Sequence, residues 1–262
     1  MLSAGCWIIA LANLSLLLGA EESPYWQSYA LSYAQTAEAG ATAPTTWQTR
    51  DWLTVGGIIL TGAGLYLADE PINELVLHNR NEFTRMLASA GNTLGDGKYI
   101  LAGWALTGTG GYLRQDTKTL DTALIGIKSF LLAGGVSFVV KCAVQRSRPD
   151  PADSKTFWQD GTFSWKHDSF PSGHSVVAWS TATTLAEQYQ ELSWVPWLAY
   201  STAALTSYAR LHDNKHWASD VFAGAVIGHF TTRLVLQTTP RLSLIAGRDG
   251  STLLLNYCQT FN

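Results

Sequence analysis

Apolar residues are concentrated in six blocks of this chain, Trp52–Ala68, Tyr99–Leu113, Leu120–Val140, Ser175–Tyr189, Trp194–Ala209 and Val221–Gln237, each long enough for a helix. Between the first two, Ile72–Ala90 predicts an amphipathic helix that ends before Gly91 and the turn Gly95-Asp96-Gly97. Near the C-terminus, Leu242–Ala246 and Ser251–Tyr257 flank Gly247-Arg248-Asp249-Gly250 and predict a β-hairpin. The expected fold is mainly α, a single helical bundle of about six core helices with a short C-terminal β-hairpin.

The ends of the chain have a different character. Residues 1–20 hold an apolar run closing on small residues before Glu21 and Glu22, the pattern of a secretory signal peptide cleaved near Ala20, with an uncleaved anchor as the alternative. Residues 21–50, rich in Ala, Thr, Ser and Tyr, are expected to be loosely ordered, with a short helix over Tyr25–Ala37 and a small-residue linker over Gly40–Thr46. Residues 51–238 then form the helical domain and 239–262 the β tail.

Composition narrows the function. A chain of 262 residues, 47% hydrophobic and 14% charged, buries one large core, so one catalytic domain is the simplest count. A net charge of -3 gives no reason to expect a nucleic-acid partner. Eleven Trp and ten Tyr suit either a core or sites apolar at one end and wet at the other, including a membrane interface. Cys6, Cys142 and Cys258 have neither metal-ligand spacing nor a paired framework.

Most apolar blocks run only 15 to 17 residues and are interrupted by Thr, Ser and Gly, whereas a spanning helix needs about 20 apolar residues. Lys128 stands near the middle of the longest block and would cost about 2.5 to 3.5 kcal/mol if it faced lipid. After a cleaved signal, six crossings would leave the polar motifs described next in the cytoplasm. These points favour an exported domain, soluble or apposed to a membrane, over a six-spanning one.

Three motifs in the second half carry chemistry: Lys141–Pro149 (KCAVQRSRP), Pro171–His174 (PSGH) and Arg210–Asp220 (RLHDNKHWASD). Phosphoryl transfer spreads negative charge over three equatorial oxygens, and a protein without a metal must meet it with fixed cations. Arg148 and Arg210 offer planar forks and Lys141 a point charge. PSGH directly precedes an apolar block, which places its backbone N–H groups at a helix N-terminus, an anion-binding position. Gly173 admits close approach, Ser172 adds a hydroxyl, and His174 can serve the leaving group as general acid. His216 and Asp220, four apart, share a helix face; a carboxylate on one imidazole nitrogen fixes the tautomer and frees the other for attack on phosphorus. Taken singly, each motif has an ordinary explanation: solvated cations at a helix end, a serine N-cap, a surface His/Asp pair.

Together, in this order, with 21 residues between the first two motifs and 35 between His174 and Arg210, they resemble the signature of the type 2 phosphatidic acid phosphatase superfamily. Ala209 stands where that signature has a serine. The resemblance implies a metal-independent phosphatase without cofactor, in which His216 forms a phosphohistidine, Asp220 orients it and His174 protonates the departing alcohol and then activates water. Lys141, Arg148, Ser172, Gly173 and Arg210 would bind the phosphate. The favoured substrate is a lipid phosphate, of phosphatidic acid or isoprenyl diphosphate type, met outside the cytoplasm. Related expectations are a nonspecific acid phosphatase on soluble esters, a haloperoxidase holding vanadate in the same pocket, or a binder of lipid phosphate without catalysis. Vanadate would in any case serve as a transition-state mimic.

Overall fold

A computed structural model describes residues 24–149, 168–246 and 253–258. The expected signal segment therefore lies outside the described residues. Nine helices are found among the described ones: α1 (Pro24–Thr46), α2 (Thr49–Leu67), α3 (Asp69–His78), α4 (Glu82–Leu94), α5 (Gly97–Arg114), α6 (Thr117–Val144), α7 (Gly173–Gln188), α8 (Trp194–His212) and α9 (Ala218–Thr238). The six apolar blocks become α2 and α5 to α9. Two antiparallel strands follow, Arg241–Ala246 and Leu253–Cys258, with Arg241 opposite Cys258. The turn of the expected hairpin, 247–252, lies outside the described residues.

Two expectations need correction. The segment expected to be loose is ordered over α1, which is docked on the bundle: Tyr25 and Tyr29 are buried against Leu120 and Leu124 of α6, and Tyr29 Oη donates to Leu124 O at 2.8 Å. An Ala/Thr/Ser-rich stretch reads as linker only until its tyrosines find a surface. The amphipathic helix expected over Ile72–Ala90 is two helices. Asn81 begins α4 with a capping box, in which its side chain accepts from Thr84 N at 3.0 Å and its own N–H donates to Thr84 Oγ1 at 2.9 Å.

The hub of the bundle is α7, packed by α6, α8 and α9. Its approach to α9 is set by glycine. A Cβ on Gly224 would come within 2.6 Å of Ser172 O, and one on Gly228 within 2.3 Å of Val176 O, so the two backbones touch without intervening side chains. This contact brings Asp220 beside the start of α7. Ahead of it, α2 and α3 meet at a 60° bend at Ala68, and Asp69, the first residue of α3, is fully buried.

Much of the apolar surface faces outward. α2 buries none of its residues, and Leu60, Leu106, Val139 and Trp197 are each more than 65% exposed. Among the described residues α6 is long and apolar enough to cross a membrane, and the bent pair α2–α3 passes the same test if taken as one span. Lys128 does not face outward as a charge would have to if it met lipid. It is fully buried, with Nζ donating to Ser32 O at 3.0 Å, Ser32 Oγ at 2.7 Å and Thr239 Oγ1 at 3.0 Å. The objection it raised to a membrane location falls away.

Candidate active site

All three motifs converge at one end of α7. The last turn of α6 carries Lys141, and Gln145, in the left-handed region at φ 49°, ends that helix. The chain then runs beside the segment before α7, with Ser169 N donating to Arg146 O at 3.0 Å. Pro171 and Ser172 lead into α7. Ser172 is its N-cap residue, yet its hydroxyl makes no capping bond and, fully buried, finds no hydrogen-bond partner among the described residues. That leaves it to serve a group placed at the helix end, where backbone N–H donors and the dipole favour an anion. The Nε of Arg210, in the last turn of α8, is likewise buried without a partner among the described residues.

His216, on the connection between α8 and α9, is 3% exposed. Its Nδ1 lies 2.7 Å from Ser169 O, so Nδ1 carries the proton and Nε2 the lone pair. Asp220 Oδ2 is 3.9 Å from Nδ1, too far for the direct hydrogen bond expected of an orienting carboxylate. Asp220 instead accepts from Ser169 Oγ at 2.5 Å and from Trp217 N at 2.9 Å on Oδ2, and from Arg146 Nη1 at 2.6 Å on Oδ1. Ser169 is thus the link between them, since its hydroxyl holds Asp220 and its carbonyl holds His216.

Electrostatics fixes the protonation states. Burial pushes the His216 imidazole down to about 4, and the charges of Lys141 and Arg148 push the same way against the pull of Asp220. His174 is also pushed down to about 4, first by burial and then by Arg210 and His216, while Asp96 at the start of α5 acts in the opposite direction. Burial opposes the charge on Asp220, but the hydrogen bonds it accepts and the Arg146 guanidinium hold its carboxyl below the ordinary range.

Each cation is held by a partner. Arg148 donates from Nε and Nη2 to Asp168 Oδ1 at 3.0 and 2.7 Å, and Lys141 donates to Asp168 O. Asp168 thus receives both Lys141 and Arg148; its neighbour His167 lies outside the described residues. Arg210 Nη1 donates to Asn92 Oδ1 at 2.6 Å, and Asn92 Nδ2 to Asp213 Oδ2 at 2.6 Å. Ala209, the departure from the motif, is fully buried where α8 passes Gly91 of α4. Among the described residues no group of three His, Cys, Asp or Glu side chains is placed to hold a metal ion.

Four residues that hold this constellation are not among those assigned from the motifs: Arg146 and Ser169, which anchor Asp220, Asn92, which anchors Arg210, and Asp69, which accepts from Arg146 Nη2 at 2.7 Å. Arg146 lies inside the first motif, two residues before Arg148, and that R-x-R spacing is a signal. Ser169 stands two residues before the PSGH motif, whereas Asp69 and Asn92 stand on segments whose nearness only the fold reveals.

The model of the PAP2 superfamily matches residues 122–243, which include every motif residue from Lys141 to Asp220. Residues 122–243 are a PAP2 superfamily domain. Curated relatives of the PAP2 domain include the lipid A 1-phosphatase of Porphyromonas gingivalis, 36% identical over 98 residues, and the undecaprenyl-diphosphatase of Sulfolobus acidocaldarius, 35% identical over 69 residues. These alignments cover 37% and 26% of this chain but only 19% and 32% of the relatives. Among solved structures, a transmembrane PAP2 type phosphatidylglycerolphosphate phosphatase from Bacillus subtilis superposes with a TM-score of 0.55 at 24% identity, covering 69% of this chain and 92% of that one. That likeness extends the common fold beyond the PAP2 domain into the preceding helices.

Proposed function

We propose that this protein is a membrane-embedded, metal-independent phosphatase that hydrolyses a lipid phosphate through a phosphohistidine. The observation that carries the reading is the state of His216: a neutral imidazole whose Nδ1 proton is committed to Ser169 O, leaving the Nε2 lone pair on a ring that feels the charges of Lys141 and Arg148. In the first step Nε2 attacks phosphorus as the bond to the leaving oxygen breaks, and His174 passes its proton to that oxygen. The three cations, Ser172 Oγ and the N–H groups at the start of α7 take up charge on the equatorial oxygens. In the second step His174 accepts a proton from water, which attacks phosphorus and frees His216 and inorganic phosphate. Arg210 and Arg148 help to depress His174 in the open site; a bound phosphate dianion offsets their charge and lets His174 be protonated for the first step.

Two features favour a lipid over a soluble ester. A groove of about 430 Å³ runs between α7 and α8, lined by Ala178, Ala182, Leu185, Leu198 and Ala203, with Leu94 and Ile100 on its flank. It starts one helical turn past His174 and is almost wholly apolar, as a hydrocarbon chain requires. The outward apolar residues of α2, α5, α6 and α8 suit a bilayer rather than water. Of the substrates named for its relatives, lipid A and undecaprenyl diphosphate both join a phosphate to long hydrocarbon. The site is expected to open on the non-cytoplasmic face.

The test is phosphate release in EDTA from dioleoyl phosphatidic acid, an isoprenyl diphosphate and an aryl phosphate, with unmutated protein and His216→Ala. Release that prefers a lipid and is lost in the variant is the expected result. Release that survives His216→Ala, or that stops with EDTA, overturns the mechanism.

A further inference from the structure

Behind the nucleophile lies a buried ion chain that neither the motifs nor the chemistry above requires. Arg146 is fully buried and donates through Nη1 to Asp220 Oδ1 at 2.6 Å and to Ser219 Oγ at 2.7 Å, and through Nη2 to Asp69 Oδ2 at 2.7 Å. Asp69, also fully buried, accepts from Ser219 N at 2.9 Å and from Ser219 Oγ at 2.6 Å. The guanidinium is covered by Tyr66 and Trp217, whose rings lie 5.0 and 5.4 Å from its central carbon. Two carboxylates thus share one cation, in a place water does not reach. Such a chain is weak evidence for stability, because desolvation opposes the Coulombic gain. Its effect on position is larger: with Oδ1 fixed by Arg146, Asp220 presents Oδ2 to Ser169 Oγ and Trp217 N.

We propose that Asp69 and Arg146 are positioning residues for the nucleophile, acting through Asp220 and Ser169 to hold the His216 ring in the tautomer and direction that attack needs. The backbone of Arg146 supports the same end, since its carbonyl accepts from Ser169 N at 3.0 Å while its side chain anchors the carboxylate that holds Ser169 Oγ. Ser169 is pinned at three atoms, and the carbonyl of this pinned residue meets His216 Nδ1. The chain also crosses the fold. Asp69 lies at the bend between α2 and α3, outside the matched PAP2 domain, so an element distant in sequence contributes to the nucleophile's orientation. The net charge of the two carboxylates and one guanidinium is negative, which suits the positive charge that develops on the imidazole during attack.

The inference rests on the phosphohistidine reading, and the test separates the two. Unmutated protein, Asp69→Asn, Arg146→Lys and Arg146→Gln are prepared in detergent micelles. Turnover of dioleoyl phosphatidic acid and the ¹⁵N resonances of the histidine rings are measured, with His216 assigned by His216→Gln. Asp69→Asn, which keeps the shape of the site, is expected to lower kcat by about 10- to 100-fold with KM within about twofold. Arg146→Lys retains a measurable part of the activity that Arg146→Gln loses. The His216 signal is expected to change from a single Nδ1–H tautomer to a mixture in Asp69→Asn. Unchanged kcat and tautomer in Asp69→Asn overturn the proposal, as does a rise in KM with kcat held. If the unmutated protein leaves phosphatidic acid intact, the phosphatase reading on that lipid fails; the tautomer comparison then decides the positioning role alone, a shift supporting it and no shift overturning it.

Discussion

His216 Nδ1 is bonded to the carbonyl oxygen of Ser169 at 2.7 Å, while Asp220, the carboxylate one helical turn away, stands 3.9 Å off. The orienting group is therefore a backbone atom, whose place depends on what holds Ser169. Ser169→Ala keeps the carbonyl and removes the hydroxyl that ties it to Asp220, so kcat is expected to fall about 10-fold or more with little change in KM. Steady-state release of phosphate from a lipid phosphate measures it, and activity equal to the unmutated protein would show that the Asp220 link is dispensable.

His174→Ala should separate substrates by leaving group. An alkoxide leaves poorly unless protonated, whereas a nitrophenolate needs little help. General acid catalysis contributes about 10²- to 10⁴-fold, so the variant should lose about that factor on phosphatidic acid and much less on p-nitrophenyl phosphate. Equal losses on the two esters would remove His174 from the acid role.

Stability should fall with acid in a particular window. The folded pKa of His216 is near 4 and the ordinary histidine value is 6.5, so between these limits the unfolded chain binds the extra proton. The neutral ring's contribution is complete above about pH 6.5 and is lost as pH drops toward 4, at most on the order of 3 kcal/mol. Thermal unfolding at pH 7.5, 6, 5 and 4.5 is expected to show a falling Tm for the unmutated protein and a shallower fall for His216→Gln.

Arg210 is aimed by Asn92, which is itself fixed by Asp213. Asn92→Ala frees the guanidinium and is expected to weaken vanadate inhibition by about 10-fold, equivalent to about 1.4 kcal/mol. Arg210→Lys should weaken it further, because an ammonium cannot reproduce the fork. Vanadate inhibition unchanged in Asn92→Ala would show that Arg210 does not depend on this tether.

Gly224 and Gly57 form a matched pair of tests. A Cβ at 224 would meet Ser172 O at 2.6 Å, whereas at 57 it would meet nothing within 4 Å. Gly224→Ala should destabilise the protein by about 1 to 3 kcal/mol and reduce activity by displacing the start of α7. Gly57→Ala, in the interior of a helix, should stabilise it by up to about 1 kcal/mol and leave activity alone. Thermal unfolding and phosphate release report both.

Lys141, Arg148, Ser172, Gly173, His174, Arg210, His216 and Asp220 are legible in the amino-acid sequence, because short loops at helix ends carry them at fixed spacing. Asp69 is not legible there: its partner Arg146 lies 77 positions on, and nothing local distinguishes a buried Asp at the end of an apolar block from an N-terminal helix charge. Asn92 is hidden for the same reason. The six apolar blocks become helices because their length and composition allow little else. The single helix expected over Ile72–Ala90 fails because polar residues 78–82 fit a solvated face as well as a break, and the Asn81/Thr84 cap tips the balance. Lys128 misleads in the opposite sense, since a lysine among apolar residues suggests water until Ser32 and Thr239 are seen to receive it.

The contact of α7 with α9 at Gly224 and Gly228 has a mechanical meaning. Helices separated by long side chains can slide as rotamers change, but backbones in contact have no such play. His174, at the start of α7, and Asp220, at the start of α9, therefore sit on one stiff anvil. The cations lack that rigid backing: Arg210 and Arg148 are held through the side chains of Asn92 and Asp168, on separate segments, so any give in the site lies with them rather than with the anvil.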